Sequence, residues 1–183
     1  MNILLHLRIV SIYSSERRYF MGTSYDSKAI ANYFIDKGDI TPMKLQKLVY
    51  FAHGWHLGLS DNALIDEDVQ AWNYGPVIES LYHEFKMYGN NPINSRAQNL
   101  EVKGPKLCIS FPEIPVEDSQ TRNFLDKIWE VYGKYTGAEL ANLTHKDGTP
   151  WKNIYDRCGG QIPKRTIIPN EDIKAYFKTK AAV

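Results

Sequence analysis

The sequence predicts a mainly α fold: a single globular domain of about six helices, with a minor β-strand or hairpin element in the middle. Three observations predict it. Apolar residues recur at three- and four-residue spacing over most of the 183 residues. Helix starts are written several times, as Asp26-Ser27, Thr41-Pro42, Thr136-x-x-Glu139 and Thr149-Pro150, and glycines follow the periodic runs. The composition is that of a folded chain, with 43% AVILMFWYC and 23% charged residues. A chain of this size buries roughly 70% of its unfolded surface, so it needs neither metal nor disulfide to fold.

The elements follow in order. Asp26-Ser27 caps a helix carrying Ile30, Ala31, Phe34 and Ile35, ended by Gly38. Thr41 as N-cap and Pro42 at N1 restart a helix that runs to about Leu57. Leu45, Leu48, Val49, Ala52 and Leu59 follow one face, and Lys44 and Lys47 are expected on the other. Ser60-Asp61-Asn62 is a turn, and Leu64-Ile65 and Val69–Ala71 are short candidate strands. Pro76 suits N1 of a helix carrying Val77, Ile78, Leu81, Tyr82 and Phe85, closed by Gly89. Residues 93–118 hold Gly104, Pro105, Pro112 and Pro115 around one β-like run, Leu107–Phe111. From Ser119 the stripe Phe124, Leu125, Ile128, Trp129, Tyr132 is helical and stops at Gly133. A capping box, Thr136 to Glu139, opens a short helix with Leu140, Ala141 and Leu143. Thr149-Pro150 starts another with Trp151, Ile154 and Tyr155, ended by Gly159-Gly160. Asn170 is the expected cap of a last helix with Ile173, Tyr176 and Phe177.

Residues 1–20 match none of this. His6 and Arg8 interrupt their apolar stretch, and no small-residue cleavage site follows it, so they do not read as a signal peptide. Met21 opens the patterned region, and we expect translation to start there, with 1–20 a non-native or disordered extension and 21–180 the domain proper.

Charge limits the partners. Lys plus Arg is 22 and Asp plus Glu is 21, a net of +1 that falls to about −1 without residues 1–20. Nucleic-acid binding proteins neutralise phosphates with a basic excess, and none is present. No apolar run is long enough to span a membrane. Cys108 and Cys158 form no C-x-x-C, so a reduced, cytoplasmic chain is expected. The one compositional departure is 13% aromatics, including 12 Tyr and 4 Trp, residue types favoured at protein interfaces.

Candidate chemistry is sparse. His53 and His56 form an H-x-x-H pair on one helical face, able in principle to share a metal, with His83, Glu84 or His145 as a third ligand. The Glu of an H-E-x-x-H site is absent, and the ordinary reading is one packed and one solvated histidine. His145 could serve as a general base oriented by Asp147, but no nucleophile is marked, and a helix-end role for Thr144 and His145 is the simpler reading. Asp66, Glu67 and Asp68 point apart and read as a solvated turn. Phosphate-cradling glycine loops are missing. The first two helices could form a helix-turn-helix presenting Lys44, Gln46 and Lys47 to a groove, an idea opposed by the charge balance.

Several segments together carry a family resemblance. They are SKAIANYFI at 27–35, KLQKLVYFA at 44–52, AWNYGPV at 71–77, Leu81-Tyr82, L-x-x-x-T-H at 140–145 and Pro150-Trp151. Over about 26–177 the chain resembles the Panacea domain, the SocA-like antitoxin domain that phage-associated GepA-type proteins share. The resemblance implies an antitoxin of a toxin–antitoxin system, which neutralises a toxin encoded beside it by direct protein–protein contact. It also implies that a cellular protease can be involved, through an adaptor role. No enzymatic activity and no cofactor are expected. Set against the larger members that this resemblance brings in, no added DNA-binding domain is expected, and repression of its own operon is not among the implied roles. The candidate partner-binding residues are the motif positions Lys44, Leu45, Gln46, Lys47, Tyr50, Trp72, Tyr74, Gly75, Pro76, Thr144, His145 and Trp151, divided between scaffolding and toxin contact.

Overall fold

The computed structural model describes residues 24–182; the expected start at Met21 and the extension 1–20 lie outside them. Seven α-helices are described: α1 Ser27–Ile35, α2 Pro42–Ser60, α3 Glu79–Phe85, α4 Ser119–Tyr132, α5 Gly137–Thr144, α6 Pro150–Arg157 and α7 Asn170–Ala181. A 3₁₀ turn, Lys86–Tyr88, extends α3. Four short strands pair as two antiparallel hairpins, β1 Val69–Trp72 with β2 Gly75–Ile78 and β3 Asn99–Lys103 with β4 Lys106–Ser110. The chain is a mainly α single domain.

The local signals act as read. Asp26 accepts from the Lys28 amide, and Thr41, Thr136 and Thr149 accept from the amides three residues on. Thr136 and Glu139 close both halves of the capping box.

The centre of the fold is α2. Every residue from Leu45 to Gly58 is buried, because α1, α3, α4, α5, α7 and β2 all pack around it. A helix covered on every side needs no polar face. The expected polar face is therefore corrected: Lys47 is 2% exposed. Gly54 and Gly58, one turn apart, let α7 approach closely. A Cβ on Gly54 would sit 2.1 Å from the Phe177 ring, and one on Gly58 would sit 2.7 Å from Phe177 Cβ.

Other expectations are also corrected. Pro76 lies in β2, opposite Ala71, and α3 starts only at Glu79. A two-residue turn, Asn73-Tyr74, joins β1 to β2, and the missing Pro N–H costs the hairpin no bond, because Ala71 opposite it turns its amide outward to Thr166 O. Asn170 does not cap α7. It is the first helical residue, after Pro169, and its side chain faces His53. Helix α2 runs on to Ser60 and ends on Asp61 in the left-handed conformation. Of the 64–65 pair, Ile65 bridges Tyr25 without forming a strand.

Residues 166–168 pair with the open edge of β1, through Ala71 N–H to Thr166 O (2.7 Å) and Ile168 N–H to Val69 O (2.8 Å). The second hairpin stands away from the core. Leu100, Val102, Leu107 and Ile109 face one another across its register and are all exposed. The segments that flank it are both pinned by buried Asn32, which donates to the carbonyls of Ala97 (3.0 Å) and Pro112 (2.9 Å) and accepts from the Ala97 amide (2.7 Å).

Candidate partner-binding site

Most motif residues converge on the β1–β2 hairpin. From α2, Gln46 holds both polar groups of Ile78: its Nε2 donates to the carbonyl at 3.0 Å, and its Oε1 accepts from the amide at 2.8 Å. One residue on, Lys47 Nζ donates to the Pro76 carbonyl at 2.9 Å. From α6, Trp151 Nε1 donates to the Trp72 carbonyl at 2.7 Å. His145, just past α5, faces the Tyr74 backbone carbonyl and stacks on Trp151 with ring centroids 3.9 Å apart. Trp151 in turn stacks on Tyr155. Thr144 donates to Ala141 O at 2.7 Å, and its carbonyl accepts from Thr149 Oγ1 at 2.6 Å, which locks the turn between α5 and α6.

Gly75 is the close-approach point of this arrangement. Its φ of 105° lies where side chains are strained, and a Cβ there would be 2.8 Å from both Lys47 Nζ and Thr144 Oγ1. The K-L-Q-K, Y-G-P, T-H and P-W segments are therefore one structural unit, a clamp that fixes the Trp72–Gly75 turn.

Eight of the twelve motif residues are buried: Leu45, Gln46, Lys47, Tyr50, Gly75, Pro76, Thr144 and Trp151. Tyr50 packs edge-on against Phe51 and Phe177 in the core. Lys44 is held elsewhere, donating to Gly133 O at 2.6 Å beneath the Trp129 ring. Trp72 is partly exposed, and Tyr74 is 74% exposed.

Beside the turn runs a groove of about 440 Å³. Its walls are Met43, Trp72, Tyr74, Val77 and Tyr82, with Lys47 at its floor and Lys86 on its rim. Trp72 meets Tyr82 edge-on at 4.7 Å between centroids. Met43 and Lys86 reach the groove without a sequence motif of their own, and Val77 reaches it from the end of the AWNYGPV segment. The four-residue step from Tyr82 to Lys86 is the one sign that both share a side of α3 and its 3₁₀ extension.

Electrostatics at the site follow from burial. Desolvation pushes the Lys47 ammonium down to about 7. His145 is held below its ordinary value, first by desolvation and then by Lys47 nearby. It is not oriented by Asp147, whose fully exposed side chain lies 3.9 Å from Lys152.

The rival constellations dissolve in three dimensions. Both His53 and His56 are buried, and each has its own acceptor: His53 Nε2 lies 2.9 Å from Asn170 Oδ1 and His56 Nδ1 lies 2.8 Å from the Asn62 carbonyl. Among the described residues no group of three or more His, Cys, Asp or Glu is placed to hold a metal ion. Gln46 and Lys47 are committed to β2, so α2 has no face to lay in a DNA groove. Asp66 and Asp68 are solvated, whereas Glu67 accepts from Ser27 and from Ser80 (2.6 Å), tying α1 to α3. No described helix is long and apolar enough to cross a membrane.

The fold and the clamp define a small helical domain that presents one aromatic turn, held by its backbone, beside an open groove. The model of the family "Antitoxin SocA-like, Panacea domain" matches residues 45–152, and the chain belongs to that family. Among curated proteins, Antitoxin SocA of Caulobacter vibrioides (strain NA1000 / CB15N) is 29% identical over 161 residues, covering 85% of this chain and 84% of that protein. No solved structure matches the chain.

Proposed function

We propose that this chain is an antitoxin, with 21–180 as the functional domain, and that it neutralises a protein toxin by direct contact at the β1–β2 turn and the adjoining groove. The carrying observation is the clamp. Side chains from α2 and α6, with His145, fix the backbone of the turn that carries Trp72 and Tyr74, and aromatics presented on a fixed backbone are strong interface anchors. Family membership and the name of the similar curated protein support the same reading. The toxin is the product of an adjacent gene, the encounter takes place in the cytoplasm, and the protein acts by binding rather than by catalysis. Delivery of the bound toxin to a cellular protease is the second part of the proposal.

Co-expression with the adjacent reading frame tests it. Growth rescue and co-purification are expected, and Tyr74→Ala with Trp72→Ala should weaken both without unfolding the chain. Absence of both rescue and binding removes the proposal. For the protease step, the toxin half-life should shorten when the antitoxin is present; an unchanged or longer half-life leaves simple sequestration.

A further inference from the structure

The groove ends on a cation that the fold leaves short of acceptors. Lys47 is 2% exposed, yet it lines the groove floor. An ammonium carries three donors, and Lys47 Nζ spends one on Pro76 O. Among the described residues no carboxylate lies within 4.0 Å of it. The nearby titratable group is His145, which like Lys47 is a base. The groove lining adds a second cation, Lys86, and contains no Asp or Glu.

This arrangement is costly for the isolated chain. A buried charge without a counter-ion is destabilising, and a Met or Leu at position 47 would fill the same space without that penalty. The surroundings nevertheless keep the amine in place. Gly75, in a conformation disfavoured for other residues, leaves the room that Nζ occupies. A cationic floor, a cationic rim and apolar walls are complementary to one kind of occupant, a negative group carried between apolar neighbours.

We propose that the groove receives an acidic side chain, Asp or Glu, projecting from the toxin between apolar residues, and that its carboxylate docks on Lys47. The assignment rests on the antitoxin reading of the same face. It makes Lys47 the charged anchor of the contact, with Trp72, Tyr74 and Tyr82 excluding water around it. A charge pair excluded from water is where removal of one partner costs most.

Two measurements test it, both on the full chain. In the first, Lys47→Met is compared with wild type at pH 7. Removing the buried amine relieves its desolvation, and leaving the Pro76 carbonyl without its donor works the other way, so the variant is expected to stay folded and melt within a few degrees of wild type. It is expected to bind the adjacent-gene product about 30-fold more weakly or worse. A folded Lys47→Met that binds and rescues like wild type overturns the proposal and leaves the antitoxin reading standing. In the second, N-acetyl-Phe-Glu-Leu-amide and its Gln counterpart are titrated into labelled wild-type chain and followed by amide NMR. The Glu peptide should shift Tyr74, Gly75 and Tyr82, and the Gln peptide should not. Equal responses, no response, or the same shifts from inorganic phosphate overturn the carboxylate assignment. Selective Glu-peptide binding without capture of the adjacent-gene product supports the acidic site and removes the antitoxin reading.

Discussion

A single position shows how much depends on one atom. Gly75 has φ 105° and lies against Lys47 and Thr144, so a β-branched residue there meets both backbone strain and contacts of 2.8 Å. Together these cost about 2–4 kcal/mol. His145 is partly exposed, and its ring mainly supplies a stack on Trp151, a contribution of about 0.5–1.5 kcal/mol. Gly75→Val should therefore lower the melting temperature more than His145→Ala. Equal melts, or a wild-type melt for Gly75→Val, would remove the clamp account. The sequence marks this position correctly as a turn glycine before proline. It does not show which atoms crowd the glycine, because Lys47 and Thr144 lie 28 and 69 positions away along the chain.

Among the elements, α2 decides the architecture, and its contact with α7 is the tightest part. Phe177 is 2% exposed and meets Tyr50, Phe51, Trp55 and Tyr176 edge-on, so its ring has nowhere to move when a methyl appears at Gly54. Exchanging Gly for Ala in a helix ordinarily gains about 1 kcal/mol. Overpacking a close contact costs about 1–3 kcal/mol. A Cβ at 2.1 Å belongs at the upper end, so Gly54→Ala should lower the melting temperature by roughly 4 °C or more. A thermal melt showing stabilisation would mean that α7 can shift away. Helix periodicity alone identifies α2 as a helix with a Thr-Pro start. That it is covered on all sides, and that Lys47 is inside, follows from elements as far off as α7.

Across the whole molecule, three buried bases lead the pH dependence of stability, and half-buried His145 adds to it with the same sign. Desolvation holds His53 and His56 below their ordinary 6.5, His56 at about 4, and Lys47 at about 7 against an ordinary 10.5. The unfolded chain regains the ordinary values. Between pH 6.5 and 4 it therefore binds more protons at the histidines than the folded chain does, and acidification destabilises the fold. Lys47 acts with the same sign between about 10.5 and 7. Each mismatched proton contributes up to about 1.4 kcal/mol per pH unit. The melting temperature should rise from pH 5 to pH 9, most steeply below 6.5, and Lys47→Met should flatten the part above 7. A melt higher at pH 5 than at pH 8 contradicts this account. The order of helices, the capping box at Thr136, the Thr149-Pro150 start and the β character of 69–71 and 107–110 are all local, and each is readable where it stands.

What the sequence by itself determined is therefore the mainly α class, most helix starts and the family-bearing segments. Caps, turns and periodicity act over three or four residues and leave their mark in the order of the chain. What only the tertiary structure decided is the meaning of those segments. Gln46, Lys47, Gly75, Thr144, His145 and Trp151 look in sequence like separate candidates for partner contact. Folding gathers them at one hairpin, buries all of them but His145, and leaves Trp72 partly and Tyr74 largely exposed. Pro76 changes from helix start to strand for the same reason: backbone groups of β2 find their partners on α2. Burial and charge are properties of what surrounds a residue, and that environment is assembled from distant parts of the chain.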